Sequence, residues 1–151
     1  MKEQKKNNAN GITLVALVIT IIVLLILAGV SISLIAGENG ILSKAVGSVE
    51  ANNEGVAKEQ VSIAWSSVQA EYMADKVTKG AEAKDYFTLE KLNENITQGE
   101  ITKVSYIVDD NGTSELVYKF NGLFYKIIIS RGSANVDGEP TTTEPTIKDA
   151  I

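Results

Sequence analysis

The hydrophobic pattern of the chain is dominated by one apolar run near its start. From Ile12 to Ala36 the sequence holds 25 residues without a charge, and only threonine, serine and glycine interrupt the apolar side chains. A helix of that length is about 37 Å long, whereas the hydrocarbon core of a bilayer is about 30 Å thick. The pattern therefore predicts a helix over residues 12–36 that can span a membrane.

A second, amphipathic helix is predicted after a bend at Gly37–Gly40. Apolar residues recur at intervals of mostly three and four, with Asn53 in one of the expected apolar places. We expect the helix to end at Lys79, because Gly80 readily adopts the left-handed backbone that closes a helix. A break into two helices at residues 51–55 is the alternative. The apolar stripe consists of Leu42, Val46, Val49, Ala57, Val61, Ala64, Val68 and Tyr72.

After Gly99 the pattern changes from helical spacing to alternation. A short helix capped by Thr88 precedes this change. Valine, isoleucine, tyrosine and phenylalanine then alternate with polar residues, which predicts strands over residues 101–108, 115–120 and 123–129.

The pair Asn121-Gly122 predicts a two-residue type I′ turn between the last two strands. The resulting register places large side chains on one face, which we expect to pack on the helix around Trp65 and Val68. That face consists of Leu116, Tyr118, Phe120, Leu123, Tyr125 and Ile127. The first strand needs a β-bulge to turn its more apolar set inward, namely Val104, Tyr106 and Val108.

These elements predict an α+β fold, with a long N-terminal helix packed on a three-stranded antiparallel β-meander. From Gly132 onward threonine, glutamate and proline are frequent and little can be buried. Residues 132–151 are therefore expected to form a flexible, disordered tail.

The amino-acid composition excludes most of the common kinds of catalytic site. The 151 residues contain no cysteine and no histidine, which excludes disulfides, thiolate or imidazole metal sites and histidine-based triads. No hydroxyl is paired with a base at an informative spacing, so we expect no enzyme, cofactor or metal site. Asp109–Asn111 lacks the spacing of a calcium loop and is interpreted as a turn. The formal charge of −5 argues against a nucleic-acid partner.

The charges around the apolar run predict its orientation. Lys2, Lys5 and Lys6 stand against Glu3 ahead of the run. By the positive-inside rule this end stays in the cytoplasm and the rest of the chain lies outside. Three interpretations follow: a secretory signal peptide, for which the run is too long; an unprocessed signal anchor; and a third that depends on the junction itself.

At that junction KKNNANG is followed directly by ITLVALVITIIVLLILAGV. A short basic leader ending in glycine, before an uninterrupted apolar helix, resembles the prepilin leader of type IV pilins and pseudopilins, in the form common among Gram-positive bacteria. The resemblance implies cleavage between Gly11 and Ile12 by a prepilin peptidase, with N-methylation of the Ile12 amine. Two positions depart from the family pattern, since Ile12 replaces the usual phenylalanine and Ala16 the usual glutamate.

The expected organisation is a leader at 1–11, a transmembrane and assembly helix at 12–36, an extracytoplasmic α+β domain at 37–131 and the tail. The predicted function is that of a structural subunit of a type IV pilus-like or pseudopilus-like filament. Its partners are membrane lipid, prepilin peptidase and other pilin subunits, and it lies in the cell membrane before assembly into a surface filament. The alternative is a single-pass surface protein with a small external binding domain.

Overall fold

The computed structural model describes residues 9–105 and 113–148. Contacts divide the chain into two compact units, Met1–Val49 and Glu50–Ile151. Two long helices, α1 (Ala9–Ala36) and α2 (Ile41–Lys79), precede an antiparallel sheet. The predicted α+β class is confirmed, and the sheet has four strands where the sequence predicted three.

The chain is interrupted between α1 and α2, as predicted. The Gly37 N–H donates to the Ser33 carbonyl at 3.0 Å, and the Gly40 N–H donates to the Gly37 carbonyl at 2.7 Å. A Cβ on Gly40 would lie 2.5 Å from the carbonyl oxygen of Ile35. Because a real Cβ does not approach a carbonyl so closely, this turn requires glycine at position 40.

α2 continues without a break through residues 51–55, so the alternative of two helices is wrong. Its 39 residues span about 58 Å, whereas a strand of eight residues spans about 26 Å. A sheet of that size cannot cover the whole helix. Leu42, Val46 and Val49, the first positions of the predicted stripe, are accordingly exposed. The buried side of α2 consists of Asn53, Ala57, Gln60, Val61, Ala64, Trp65 and Val68.

The end of α2 and the short helix after it follow the sequence signals. Gly80 has a φ of 68° and follows the last helical residue, Lys79. A 3-10 turn at Ala83–Asp85 leads to α3 (Leu89–Asn93). The Thr88 side chain caps α3, as predicted.

Asn93 and Gly99 connect α3 to the sheet. The Asn93 side chain accepts from the Ile101 N–H and donates to the Ile101 carbonyl, both at 2.8 Å. Gly99 has a φ of 72°, and a Cβ there would lie 2.6 Å from both the Lys119 carbonyl oxygen and the Tyr118 hydroxyl. This close approach explains why glycine occupies the position.

The sheet is antiparallel and its strands lie in chain order. Phe120 pairs with Leu123, which confirms the predicted register. Asn121 and Gly122 have φ values of 50° and 79°, as a type I′ turn requires. The strands are β1 (Glu100–Ser105), β2 (Thr113–Phe120), β3 (Leu123–Ser130) and β4 (Ser133–Val136).

β1 contains the irregularity that the sequence predicted. Its pairing with β2 shifts between Ile101 and Lys103, and Val104 is then fully buried. The shift keeps apolar residues on the inner face despite the imperfect alternation. Residues 106–108 of the predicted first strand, and the loop after them, lie outside the described residues.

β4 corrects both the prediction of three strands and that of a disordered tail beginning at residue 132. Arg131 and Gly132 have φ values of 51° and 81°, so they repeat the backbone of the first hairpin turn. Ala134 pairs with Ile129 and is buried. The sequence did not reveal this strand because Arg-Gly is a weaker turn signature than Asn-Gly, and four residues are too few for a clear alternation.

Residues beyond β4 also lie against the sheet, on the face that points away from the core. Val117 is on that outer face and is nevertheless fully buried. The segment 137–148 therefore covers part of the sheet, and the tail prediction is wrong for this segment too. Its contacts include two backbone hydrogen bonds between Thr141 and Phe124, at 2.8 and 3.0 Å, and an ion pair between Glu144 and Lys103 at 3.2 Å.

The core lies between the inner face of the sheet and the buried side of α2, as predicted. Tyr118 and Tyr125 are 0% and 1% exposed, and they belong to one hydrophobic cluster with Trp65 and Val68. The Tyr118 hydroxyl donates to the Gln98 carbonyl, and burial raises the pKa of Tyr118 to about 12. Tyr118 therefore contributes both apolar burial and a hydrogen bond.

Replacing Tyr118 separates these two contributions. Tyr118→Ala should lower the free energy of unfolding by about 3 to 5 kcal/mol, because it leaves a large cavity. Tyr118→Phe removes only the hydroxyl and should cost about 0.5 to 1.5 kcal/mol. Urea titration of a chain starting near Gly40 measures both. A loss below about 0.5 kcal/mol for the alanine variant would show that this face is not the core.

Candidate functional site

α1 presents aliphatic side chains on all sides. Its large apolar residues from Leu14 to Ile35 are between 46% and 68% exposed. Soluble monomers rarely leave a continuous apolar surface of this size in water. An 18-residue apolar window of this helix has a mean hydropathy of 3.1, and none of it is buried. It differs in this respect from a core helix, and by length and composition it can cross a membrane.

The polar side chains of α1 are compatible with a lipid environment. The Thr20 hydroxyl donates to the Leu17 carbonyl at 2.8 Å, and the Ser31 hydroxyl donates to the Leu27 carbonyl at 2.7 Å. Each hydroxyl is satisfied within its own helix, so burying it in hydrocarbon leaves no unpaired donor. Because residues 12–36 carry no charge, no ionised group opposes insertion.

The predicted processing residues lie near the start of α1. Gly11 and Ile12 are part of its helical backbone, which begins at Ala9. Ala16 follows about one turn later with its side chain exposed. The candidate site is therefore a peptide bond at the polar edge of an apolar helix, without a carboxylate on the first turns beyond it.

Two polar residues on the buried side of α2 hold connections of the sheet in place. The Gln60 side-chain oxygen accepts from the Thr97 N–H at 2.8 Å and from the Thr97 hydroxyl at 3.0 Å. The Asn53 side-chain oxygen accepts from the Asn121 side-chain amide at 3.1 Å. Asn53 is visible in the sequence as a gap in the apolar stripe, whereas Gln60 was not predicted. The available signal was their seven-residue spacing, which puts both on one helix face.

The segment that follows α2 is held against that helix by a cluster of charged and aromatic side chains. The Tyr86 hydroxyl donates to the Asp75 carboxylate at 2.5 Å, which lowers the pKa of Asp75 and raises that of Tyr86 to about 12. The Lys91 ammonium lies 3.9 Å from the centre of the Tyr86 ring and pairs with Glu71 at 3.0 Å. These contacts hold the connection against α2.

Within residues 9–105 and 113–148, no group of three or more acidic side chains could hold a metal ion. Asp109–Asn111 lies outside those residues. Comparison with protein-family models, curated proteins and solved structures finds no match to this chain.

Charges in the middle of α1 test whether it inserts into a bilayer. Leu24→Arg combined with Leu25→Arg should cost about 5 to 7 kcal/mol of insertion, at about 2.5 to 3.5 kcal/mol for each arginine. The variant should leave the membrane fraction on alkaline carbonate extraction, whereas the wild type should remain. Replacing both leucines with isoleucine is the matched control. Retention of the arginine variant would argue against a membrane-spanning α1.

Proposed function

We propose that this chain is a structural subunit of a type IV pilus-like or pseudopilus-like filament, anchored in the membrane by α1 before it assembles. The observation that carries the proposal is a charge-free α1, with its large apolar residues from Leu14 to Ile35 exposed, preceded by a short basic leader that ends at Gly11. The α+β arrangement of the remaining chain is compatible with that role.

The proposed route begins at the cytoplasmic face. The basic leader holds residues 1–11 in the cytoplasm, and the chain after α1 lies outside. That part carries 11 basic and 18 acidic residues, as suits a solvated surface. Cleavage between Gly11 and Ile12 would remove the leader and leave the membrane helix on the mature subunit.

Assembly would transfer α1 from lipid into a bundle of like helices. Its aliphatic surface is unfavourable in water, so a subunit leaving the bilayer needs another apolar environment. Packing many copies of α1 along a filament axis provides one, and a repeated head-to-tail contact extends without closing. The exposed side chains of α1 are therefore proposed as subunit contacts.

Ala16 restricts how such subunits can recognise one another. The resemblance implies that the usual glutamate at this place pairs with the N-terminal amine of a neighbouring subunit. No carboxylate lies between Ile12 and Ala36, so the amine of Ile12 has no such partner in a second copy of α1. We infer that this chain assembles through apolar packing alone. The alternative is that the chain is a minor subunit, with its Ile12 amine paired to the glutamate of a different pilin.

The second candidate function is an unprocessed, single-pass surface protein with an external binding domain. The membrane helix and the external α+β unit support it equally well. The leader distinguishes the two candidates, because an unprocessed anchor is not cleaved between Gly11 and Ile12.

Processing is tested by replacing Gly11. In cells with a prepilin peptidase the wild-type chain should begin at Ile12, and Gly11→Leu should remain full length because the bulky side chain obstructs cleavage. Intact mass and N-terminal sequencing of the membrane fraction measure the start. Gly29→Leu is the matched control, since a Cβ at Gly29 would meet no atom within 4 Å. Equal processing of both variants, or a wild type that begins at Met1, would contradict the proposal.

Filament composition is tested by expressing the chain as the only pilin beside a competent assembly machine. We expect filaments in electron micrographs, because register is set by apolar packing. Ala16→Glu is the variant to compare with the wild type, because it adds the carboxylate that the chain lacks. A carboxylate inside the bilayer costs about 2.5 to 3.5 kcal/mol unless it is paired. If filaments appear only when a glutamate-bearing pilin is added, the chain is a minor subunit instead.

A further inference from the structure

A cleft opens in the second unit between α2, the 3-10 turn and the β3–β4 turn. Its volume is about 320 Å³. Three aromatic side chains form one wall, with ring centres 4.5 Å apart for Trp65 and Phe87 and 6.0 Å apart for Tyr72 and Phe87. Trp65 and Phe87 are each only 7% exposed, so the wall is rigidly packed from behind. Its size matches the lower range of small-molecule sites.

Arg131, the only arginine of the chain, lines the same cleft. It occupies the first position of the β3–β4 turn with a φ of 51°. Asparagine, aspartate and glycine are favoured at such a position, and an arginine there is conformationally costly. A residue held in a costly conformation beside a cleft points to a use other than turn formation.

The charge of Arg131 is also unusual in its surroundings. Among the described residues, seven lysines have a carboxylate within 4.0 Å, and Arg131 has none. The chain as a whole carries a formal charge of −5. The net charge of the chain repels anions in general, whereas the unpaired guanidinium would attract an anion to this cleft.

We propose that the cleft binds a small aromatic carboxylate, with its ring against Trp65, Tyr72 and Phe87 and its carboxylate on Arg131. The planar guanidinium offers two parallel donors to a carboxylate, and an aromatic ring packs well on the aromatic wall. The Gln69 side chain also lines the cleft and supplies a polar group near the apolar wall. This binding function is independent of filament assembly and holds for either proposed function of the whole chain.

Trp65 provides the readout, because it is the only tryptophan and lies in the wall of the cleft. The full chain, in micelles of an uncharged detergent, is titrated with 4-nitrobenzoate, a nitroaromatic quencher of indole fluorescence. We expect saturable quenching of Trp65. The uncharged analogue 4-nitrobenzamide should bind about tenfold more weakly, since it lacks the charge that Arg131 recognises.

The decisive variant is Arg131→Asn. Asparagine suits the positive φ, so the variant should fold with an unchanged or higher thermal midpoint. Its affinity for 4-nitrobenzoate should nevertheless fall about tenfold, to the level of the amide. Lys119→Gln removes a cation from the outer face of the sheet and should bind as the wild type does. Ala83→Leu, which fills the cleft without changing charge, should abolish quenching by both compounds.

Three results would overturn the proposal. The first is the absence of saturable quenching in the wild-type chain. The second is equal affinity of wild type and Arg131→Asn for 4-nitrobenzoate. The third is equal binding of the amide and the carboxylate, which would indicate an apolar groove suited to a protein side chain and would exclude recognition of an anion.

Discussion

The second unit depends on the burial of one hairpin face against one side of α2. Large residues come from the sheet, with Tyr118 and Tyr125 at its centre, and small residues such as Ala57 and Ala64 come from the helix. This complementarity lets the aromatic rings fill the space between helix and sheet. It also fixes the register, because a slip of one residue would turn the inner face outward. The Asn121-Gly122 turn and the amide contact of Asn121 with Asn53 oppose such a slip.

The outer face of this sheet is also covered in part. Val117 lies directly beside Tyr118 in sequence and faces the other way, yet both are fully buried. The segment 137–148 supplies the second cover, held by backbone hydrogen bonds and by the ion pair of Lys103 with Glu144. Its polar composition does not prevent this, because backbone pairing with an exposed strand is largely independent of side chains. The segment thereby completes the unit.

α1 has the opposite relation to solvent. Its aliphatic residues are exposed all round, and the hydroxyls of Thr20 and Ser31 are satisfied within the helix. The first turns of α2 share this exposure at Leu42, Val46 and Val49. An exposed apolar surface of this size is typical of helices that contact lipid or other chains. The proposed filament subunit meets both conditions in succession, first as an anchor in the bilayer and then as a helix packed among its copies.

The sequence by itself determined α1, α2 and the central hairpin, since each depends on a local signal. A charge-free run, a helical period and an Asn-Gly pair act within a few residues of each other and need no distant partner. The same holds for the proposed processing site, which is a feature of the primary structure at Gly11.

Only the tertiary structure decided β4, the cover of Val117, the partners of Gln60 and the position of Arg131 beside an aromatic wall. Each joins residues far apart in the chain, and the polar sequence after Gly132 carries no period that would reveal them. Gln60 and Thr97, for example, are 37 residues apart. Such contacts form because other parts of the fold leave a sheet face uncovered or a hydrogen-bonding group unpaired. Those faces and groups come together only when the chain has folded.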